Sequence, residues 1–451
     1  MALAAVVVVY LVFAALFALN VPKWNAPDEP AHFTYVRHLA TTGTFPVLEP
    51  GDYDQEYLAK LTTAQFPDSL PIDKLRYESH QPPLYYLLGA GLYRLVDGMT
   101  LRLQVLALRG LSILFGALFI LAVYALARAT LVQRPLVALG AAAFVAGVPM
   151  QLAISAAVEN DSLSELVLTL SLLVLVGGLR WGFGRGRCLL LGLLLGLSLL
   201  TKMTIYGALP LALVALWLRW RREGLGGDAP EFAPGAVVAL VQARPIAVGA
   251  FLRQLMLIYG VALVVSSWWF VRNALTYGWM DPLIQNRHVT VVIGQPRTAY
   301  TWAAAEYLVT TTFQSFWAQF GWMGVLVDRR LYQALLALTV VAGLGLALWL
   351  YRAARGREGL DQAAVRSLWL LALCFAVTLG EFLYYNLTFV QAQGRYLFPA
   401  LGPIGLFFVL GLLALAPRKL AVPTVGGLYL ALLALDWICL FRFVAPYFGT
   451  L

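Results

Sequence analysis

Charged residues are scarce in this sequence. Only 12% of its 451 residues are charged and 61% are hydrophobic, whereas soluble globular proteins have about 25% charged residues. This imbalance excludes an ordinary soluble protein. Apolar stretches of about 20 residues, the length that crosses roughly 30 Å of hydrocarbon, recur from residue 2 to residue 443. The sequence therefore predicts an all-α polytopic membrane protein with one transmembrane domain over residues 1–451.

Cysteine and cofactor motifs are also scarce or missing. The three cysteines, Cys188, Cys374 and Cys439, lie in apolar stretches, so they predict neither a disulfide framework nor a metal site. The sequence has no Walker, Rossmann or H-E-x-x-H motif, which argues against ATP-driven chemistry within the chain. It also lacks the inverted repeat that many transporters show.

Hydropathy predicts about eleven membrane-spanning helices. They lie near residues 2–20, 105–128, 135–152, 162–180, 188–201, 203–218, 251–274, 331–351, 366–388, 396–416 and 422–443. No Lys or Arg precedes the first stretch and no A-x-A-like site follows it, so we interpret it as a retained span and not a signal peptide. The segment 82–96, of about 15 apolar residues, is more typical of an interfacial helix than of a crossing one.

Basic clusters orient the predicted helices. If the segment 82–96 does not cross, the clusters of Lys and Arg between spans all fall on one side, as the positive-inside rule requires. If the segment crosses, this bias disappears. We therefore predict a multi-pass plasma-membrane protein with a cytoplasmic N-terminus. The formal net charge of +9 then reflects membrane orientation, and no nucleic-acid partner is predicted.

This topology divides the segments between the spans into outer and inner ones. The predicted segments are a first extracytoplasmic loop with amphipathic interfacial helices (21–104), a second one (153–161), a cytoplasmic linker (221–250) and a third extracytoplasmic loop (276–328). From Val21 to Gln81 the first loop has nine acidic and five basic residues, and all four histidines of the chain fall in outer loops. We therefore expect any active site on the extracytoplasmic face.

Two acidic motifs follow predicted spans on the outer side. The first, Asn25-Ala-Pro-Asp-Glu-Pro-Ala-His32, places Asp28 before a Pro-containing helix start, so Asp28 is also a candidate N-cap. The second is Glu159-Asn160-Asp161, where Asp161 is likewise a candidate cap. Capping and function are both open for these acids when each motif is taken alone.

Basic residues at the outer ends of spans oppose the charge bias that orients the protein. Lys202, Arg272 and Arg395 stand at such ends, and His80 opens the segment 82–96. Each base either anchors its helix at the interface or binds an anionic lipid headgroup, where a fixed cation also stabilises a phosphate as a leaving group.

The order of these motifs resembles the integral-membrane glycosyltransferases of the GT-C superfamily. PDEPAHF, HQPPLYY, ENDS, LTK, WWFVRNALTYG and QGRYLFP follow one another, and the likeness covers most of the chain. It is nearest to the protein O-mannosyltransferase and aminoarabinose transferase relatives. The resemblance implies a sugar donor carried on a polyprenyl phosphate, membrane lipids as surroundings, and a protein, lipid or glycan acceptor.

The resemblance also implies roles for residues. Asp28 would be the first-loop catalytic acid and Glu159 or Asp161 the second-loop acid, while Lys202, Arg395 and His80 would hold the donor phosphate. We add Glu29 to the catalytic candidates, and Arg272 to the phosphate-binding ones. The candidates for contacts with the sugar or acceptor are His32, Tyr35, Gln81 and Tyr396.

Two alternatives stay open. The resemblance does not demand a cofactor, and a divalent metal such as Mg²⁺ or Mn²⁺ stays open, with Asp28, Glu159 and Asp161 as its candidate ligands. A transporter or flippase of a lipid-linked glycan would use the same ionisable residues. The sequence favours an enzyme, because these residues gather at the outer interface rather than at the bilayer midplane where transporters bind.

Overall fold

Helices make up 76% of the computed structural model, which describes residues 1–224, 245–292 and 297–450. The α-helices are α1 (Ala2–Asn20), α2 (Glu29–Thr42), α3 (Gln55–Thr63), α4 (Leu84–Val96), α5 (Leu101–Thr130), α6 (Pro135–Ala146), α7 (Pro149–Ser155), α8 (Asp161–Trp181), α9 (Arg185–Leu199), α10 (Ala208–Gly224), α11 (Pro245–Tyr277), α12 (Gln285–Val291), α13 (Trp302–Trp317), α14 (Arg329–Ala354), α15 (Gln362–Asn386), α16 (Leu401–Leu415), α17 (Ala421–Ile438) and α18 (Ala445–Phe448). Two short strands, β1 (Gln319–Phe320) and β2 (Val325–Leu326), pair antiparallel.

The predicted class, a polytopic helical membrane protein, is confirmed. Among the described residues nine helices are long and apolar enough to cross a membrane, and the count is ten if the bent pair α6–α7 forms one span. The one remaining predicted span, 188–201, corresponds to α9. Its 15 residues rise only about 22 Å along the helix axis, less than the roughly 30 Å of hydrocarbon. Most of the predicted linker 221–250 falls on residues 225–244, outside the described residues.

The span predicted at 135–152 is broken in the structure. Its two halves, α6 and α7, meet at an angle of 63°, and Pro149 begins the second half. Proline disfavours helical geometry at the residue before it and cannot donate the backbone hydrogen bond that would continue α6. As a result α7 turns toward α8, and Gln151 donates to the carboxylate of Glu165 at 2.5 Å.

Helices α1 and α5 run antiparallel. Near the C-terminal end of α1 the Ala18 carbonyl accepts from Arg109, and farther from that end Tyr10 donates to the Ile113 carbonyl. The chain between α1 and α5 therefore leaves and re-enters the bundle at one end, which we call the loop end. Helix α4 packs there against α2 and α5, and the Leu84 amide donates to the carbonyl of Leu200, which lies just after α9.

Helix α2 begins at Glu29, directly after Asp28 and within the PDEP motif, as the sequence predicts. Phe33, Val36, Leu39 and Ala40, which lie at helical spacing, are buried. The first two turns are covered nearly all round, with the polar side chains of this stretch included. The start of α2 therefore lies inside the loop end of the bundle, unlike a surface helix with one wet face.

Candidate active site

Asp28 precedes α2 in a left-handed backbone conformation, with φ 65°. Its side chain does not cap the helix. Instead Oδ1 accepts a hydrogen bond from the Tyr77 hydroxyl at 3.0 Å, and Oδ2 pairs with the guanidinium of Arg395. The side chain of Asp28 remains 24% exposed. The sequence motif thus holds a partly accessible carboxylate at the loop end, in a backbone region that costs energy for a residue other than glycine.

Arg395 connects the two acidic motifs. It lies in a short 3-10 helix, Gly394–Ala400, and its side chain is 2% exposed. A Cβ on Gly394 would stand 2.3 Å from the Thr312 carbonyl oxygen, so glycine allows this segment to pack directly on α13. One guanidinium nitrogen pairs with Asp28, and the other lies 3.3 Å from Glu159 Oε2.

Glu159 is more enclosed than Asp28 or Asp161, with its side chain 1% exposed. Its Oε1 lies 2.9 Å from His32 Nε2 and 3.4 Å from the ammonium of Lys202. The same ammonium lies 2.5 Å from Asp161 Oδ1. Burial acts to raise the pKa of Glu159, but the charges of His32, Lys202 and Arg395 outweigh it and hold that pKa well below its usual range. Glu159 is therefore ionised.

His32 faces Glu159 on one side and Tyr86 on the other, where Nδ1 lies 2.7 Å from the phenol oxygen. Burial lowers the pKa of His32, but the neighbouring Glu159 carboxylate more than compensates, so the net shift is upward. Burial likewise lowers the pKa of Lys202, and Asp161 and Glu159 reverse that effect. We call Asp28, Glu159, Asp161, Lys202, Arg395 and His32 the charged cluster.

Glu29, predicted as a catalytic acid, has a different place. It is fully buried and forms a bidentate pair with Arg109, both contacts at 2.7 Å. Its two oxygens also accept the backbone amides of Trp24 and Val158. Because all four acceptor positions of the carboxylate are used, Glu29 has no capacity left for a substrate proton. It is instead a clamp between the first loop and the second acidic motif.

His80 is not a cation in this structure. Its Nδ1 donates to the Tyr77 carbonyl at 2.8 Å, and its ring lies 4.4 Å from the ring of His288. Burial lowers the pKa of His80 to about 4. At neutral pH the imidazole is therefore uncharged. Because its proton is on Nδ1, Nε2 has none to donate, so His80 cannot have the predicted phosphate-binding role.

Arg272, the other predicted phosphate ligand, lies apart from the charged cluster. Its guanidinium donates to the carbonyls of Phe45 and Pro46 and lies over the ring of Trp269. It ties the first loop to α11, as an interfacial anchor would. Among the three predicted basic span ends, the structure brings only Lys202 and Arg395 together with the acids.

The predicted sugar and acceptor contacts surround the charged cluster. Tyr35 stacks on Tyr86 with 3.7 Å between ring centroids, and its hydroxyl lies 3.4 Å from the Gln81 carbonyl. The Gln81 side chain accepts from Asn160 at 3.4 Å. Tyr396 lies under the guanidinium of Arg395, 5.4 Å away. These side chains are placed to form walls, while the charges come from their neighbours.

Two acids near the charged cluster are not among the predicted site residues. Glu78 is buried, its pKa is raised by burial, and its Oε2 has no hydrogen-bond partner among the described residues. Glu165 lies one helical turn beyond Asp161 on α8, bonded to Gln151, and its Oε1 is likewise unpartnered in the described chain. The only signal in the sequence was an acid two residues before His80 and an acid inside a span.

The carboxylates do not form an open metal site. Asp28, Glu159 and Asp161, the candidate ligands, are already paired with Arg395, Lys202 and His32. Within residues 1–224, 245–292 and 297–450 no group of three or more His, Cys, Asp or Glu is arranged to hold a metal ion. A divalent cation would have to displace fixed cations from these acids, so this donor set does not fit the predicted Mg²⁺ or Mn²⁺.

Sequence comparison gives one family match. The profile of the family described as dolichyl-phosphate-mannose-protein mannosyltransferase matches residues 80–248. A search of curated proteins finds no significant match.

Solved structures of membrane glycosyltransferases resemble this chain over nearly its full length. The Archaeoglobus fulgidus oligosaccharyltransferase complexed with zinc and sulfate is 15% identical, with a TM-score of 0.51 over 96% of this chain and 52% of that one. ArnT from Cupriavidus metallidurans is 17% identical in its apo state, with a TM-score of 0.50 over 93% of this chain and 60% of that one. The structure of the same ArnT bound to undecaprenyl phosphate is 15% identical. Its TM-score is also 0.50, over 99% of this chain and 73% of that one.

At such low sequence identity these structural matches show the fold alone. The chain spans about half the length of the oligosaccharyltransferase. The resemblance to the GT-C superfamily that the motifs indicated is confirmed, and the chain has the GT-C fold.

Proposed function

We propose that this protein transfers a sugar from a polyprenyl-phosphate donor to an acceptor hydroxyl, with inversion at the anomeric carbon. The observation that carries the proposal is the position of Asp28. It is a partly exposed carboxylate, and Arg395 joins it to a second pair of acids and a lysine at the same end of the bundle. ArnT, whose fold this chain shares, is bound to undecaprenyl phosphate in one of its structures, which supports this class of donor.

Asp28 is the general base in this mechanism. The acceptor oxygen attacks the anomeric carbon and forms the new C–O bond, while the bond from that carbon to the phosphate oxygen breaks. The electron pair of the broken bond leaves with the lipid phosphate, and the hydroxyl proton passes to Asp28. General-base assistance of this kind contributes roughly 100- to 10,000-fold. Attack opposite the departing phosphate inverts the configuration.

Lys202 and Arg395 stabilise the leaving phosphate. An ammonium has three N–H donors, and Lys202 uses two of them on Glu159 and Asp161, so one remains for a phosphate oxygen. Arg395 has five N–H donors, and its bonds to Gln393, Asp28 and Glu159 leave two. Fixed cations placed where charge develops are commonly the largest catalytic contribution.

Glu159 and Asp161 keep these cations in position. Both acids pair with Lys202, and Arg395 lies 3.3 Å from Glu159 and 3.9 Å from Asp161. Glu29 acts one step farther away, because its bond to the Val158 amide joins the turn that carries Asp28 to the segment that carries Glu159. Glu29 is therefore a positioning residue.

The loop end faces the extracytoplasmic side in this proposal, and labelling tests it. Met99 is 52% exposed at the end of the loop, while the three native cysteines are buried. A cysteine at position 99 in intact cells should react with an impermeant maleimide, and wild-type protein should not. Reaction only after the cells are opened would place the charged cluster on the cytoplasmic face.

The activity itself is tested by reconstituting the purified protein with polyprenyl-phosphate sugars and measuring release of polyprenyl phosphate. Asp28→Asn should lower the rate by about 100-fold or more. The matched control is Asp68→Asn, because Asp68 is an 85% exposed acid of the same loop, and its rate should equal that of wild type. Equal rates in both variants would contradict the proposed base.

A flippase for a lipid-linked glycan is the second candidate. It is favoured by buried acids inside the spans, since neither carboxylate oxygen of Asp436 has a hydrogen-bond partner in the described part of the chain. Intramembrane carboxylates are costly and commonly functional. Donor-dependent movement of lipid across the bilayer without polyprenyl phosphate release would decide for this candidate.

A further inference from the structure

A cavity of about 340 Å³ opens beside the charged cluster in the first loop. Its lining includes Tyr35, Arg37, His38, Arg76 and Ser79. No member of the charged cluster lines it. The cavity therefore adjoins the charged cluster without including it, and the mechanism above gives it no role.

Two arginines and one acid, Asp73, line the cavity, although the loop around it is acidic overall. Between Val21 and Gln81 the chain has nine acids and five bases, and its only two arginines in that stretch, Arg37 and Arg76, both line the cavity. Arg37 pairs with Asp73, whose side chain is 63% exposed, and Arg76 lies 3.9 Å from Asp52. Planar guanidinium groups bind phosphate and carboxylate in a two-pronged geometry.

Hydroxyl groups complete the lining. Ser79 and Thr34 are buried there, and each donates its hydroxyl proton to a backbone carbonyl. Each hydroxyl oxygen therefore keeps lone pairs that can accept a further hydrogen bond. Guanidinium donors beside hydroxyl acceptors suit a ligand that combines an anionic group with free hydroxyls.

Two stacked tyrosine rings lie between the cavity and His32 of the charged cluster. Tyr35 lines the cavity and stacks on Tyr86 with ring centroids 3.7 Å apart. The Tyr86 hydroxyl lies 2.7 Å from His32, and His32 lies 2.9 Å from Glu159. A ligand in the cavity is therefore two aromatic rings away from the histidine of the charged cluster.

We propose that this cavity is the acceptor subsite and that the acceptor carries a phosphate next to free hydroxyls. The phosphate pairs with Arg37 and Arg76, and the attacking hydroxyl lies toward Asp28 along the segment Arg76–Ser79, whose Tyr77 donates to Asp28 at 3.0 Å. This assignment rests on the proposed function, since it supplies the acceptor for that reaction. The same chemistry comes from an anionic lipid headgroup or from a soluble polyol phosphate.

Direct binding tests this subsite without requiring turnover. Glycerol 3-phosphate is titrated into detergent-solubilised protein by calorimetry. In a second arm, retention of phosphatidylglycerol is measured by native mass spectrometry after release from nanodiscs of phosphatidylcholine and phosphatidylglycerol. Arg76→Gln should weaken binding about tenfold or more, since a hydrogen bond to a charged group contributes roughly 1.5–3 kcal/mol.

Two variants serve as controls. Lys60 is an exposed base of the same loop, so Lys60→Gln should bind as wild type does. Asp28→Asn should also retain binding, because Asp28 does not line the cavity. Arg76-dependent binding of glycerol 3-phosphate identifies a soluble acceptor, and Arg76-dependent retention of phosphatidylglycerol alone identifies a lipid one.

Equal affinities for Arg76→Gln and Lys60→Gln in both arms, or no binding in either arm, would overturn the subsite. Failure of the proposed function has a different result. In that case phosphate binding depends on Arg76, but no polyprenyl phosphate is released with any donor.

Discussion

Asp28 and Glu29 are adjacent carboxylates with opposite environments. Glu29 is fully buried, and the five N–H donors of its partner Arg109 are all used, on Glu29 and on the carbonyls of Ala18, Val21 and Pro22. Asp28 is 24% exposed, and the cations near it retain free donors. A saturated ion pair serves the fold, whereas an unsaturated one has donors left for a ligand.

Breaking the saturated pair should have the largest effect. Glu29→Gln leaves the Arg109 charge buried and uncompensated, so we expect the free energy of unfolding to fall by about 3–5 kcal/mol. Chemical unfolding in detergent micelles measures this change. Asp28→Asn is the matched control, with an expected loss of about 1 kcal/mol, because Arg395 keeps its contact with Glu159. Similar losses in the two variants would erase the distinction between clamp and charged cluster.

Replacing the guanidinium of Arg395 by an ammonium, which keeps the charge but not the shape, should have the next largest effect, here on activity. A lysine at this position keeps the charge but loses the planar fork, with which Arg395 holds Asp28 and Glu159 on two separate nitrogens. We expect Arg395→Lys to slow polyprenyl phosphate release about 10- to 100-fold, the equivalent of one lost charged hydrogen bond.

The control for Arg395→Lys is Arg134→Lys. Arg134 also pairs with an acid, at 2.8 Å from Glu358, but it follows α5 at the end of the bundle opposite the loop end. Its variant should release polyprenyl phosphate at the wild-type rate. If both variants slowed release equally, the loss would reflect general damage to ion pairing rather than a specific bridge at Arg395.

The long helices and the start of α2 follow from local sequence. Hydropathy over about 20 residues reports directly on burial in lipid, and the PDEP motif combines a turn with a helix start. Such features depend on neighbours in the chain. The break between α6 and α7 was also local, since Pro149 signals it, but the apolar run across it concealed the bend.

The fate of each charged side chain does not follow from local sequence. Glu29 finds Arg109, 80 residues away on α5, and this partner is indistinguishable in the sequence from any other arginine near a span end. Arg272 and Lys202 stood in equivalent positions at the ends of spans. Packing alone directs Lys202 to Asp161 and Arg272 to the carbonyls of Phe45 and Pro46.

His32 should make stability fall as pH rises. Its pKa in the folded protein is raised by Glu159, so its pair with Glu159 contributes fully below the ordinary histidine pKa of about 6.5. That contribution is lost as pH increases through the raised pKa. The difference in unfolding free energy between wild type and His32→Gln, measured from pH 5.5 to pH 9, should therefore shrink as pH rises.

His38, on the same helix, should change the free energy of unfolding with pH in the opposite direction. Burial and then Arg76 lower its pKa, so protonation of the unfolded chain destabilises the fold at low pH, and that penalty disappears as pH rises. The difference in unfolding free energy between wild type and His38→Gln should therefore change with pH in the direction opposite to that of His32→Gln. The same slope in both histidine variants would show that the pH dependence comes from other groups.

The smallest effect is expected at an exposed ion pair of the same loop. Lys23 and Asp68 also form a salt bridge, but their side chains are 28% and 85% exposed, so water and salt screen the attraction. Lys23→Met should change the free energy of unfolding by at most about 1 kcal/mol, and high salt should remove even that difference. A loss as large as that of Glu29→Gln would mean that burial is not what separates the two kinds of pair.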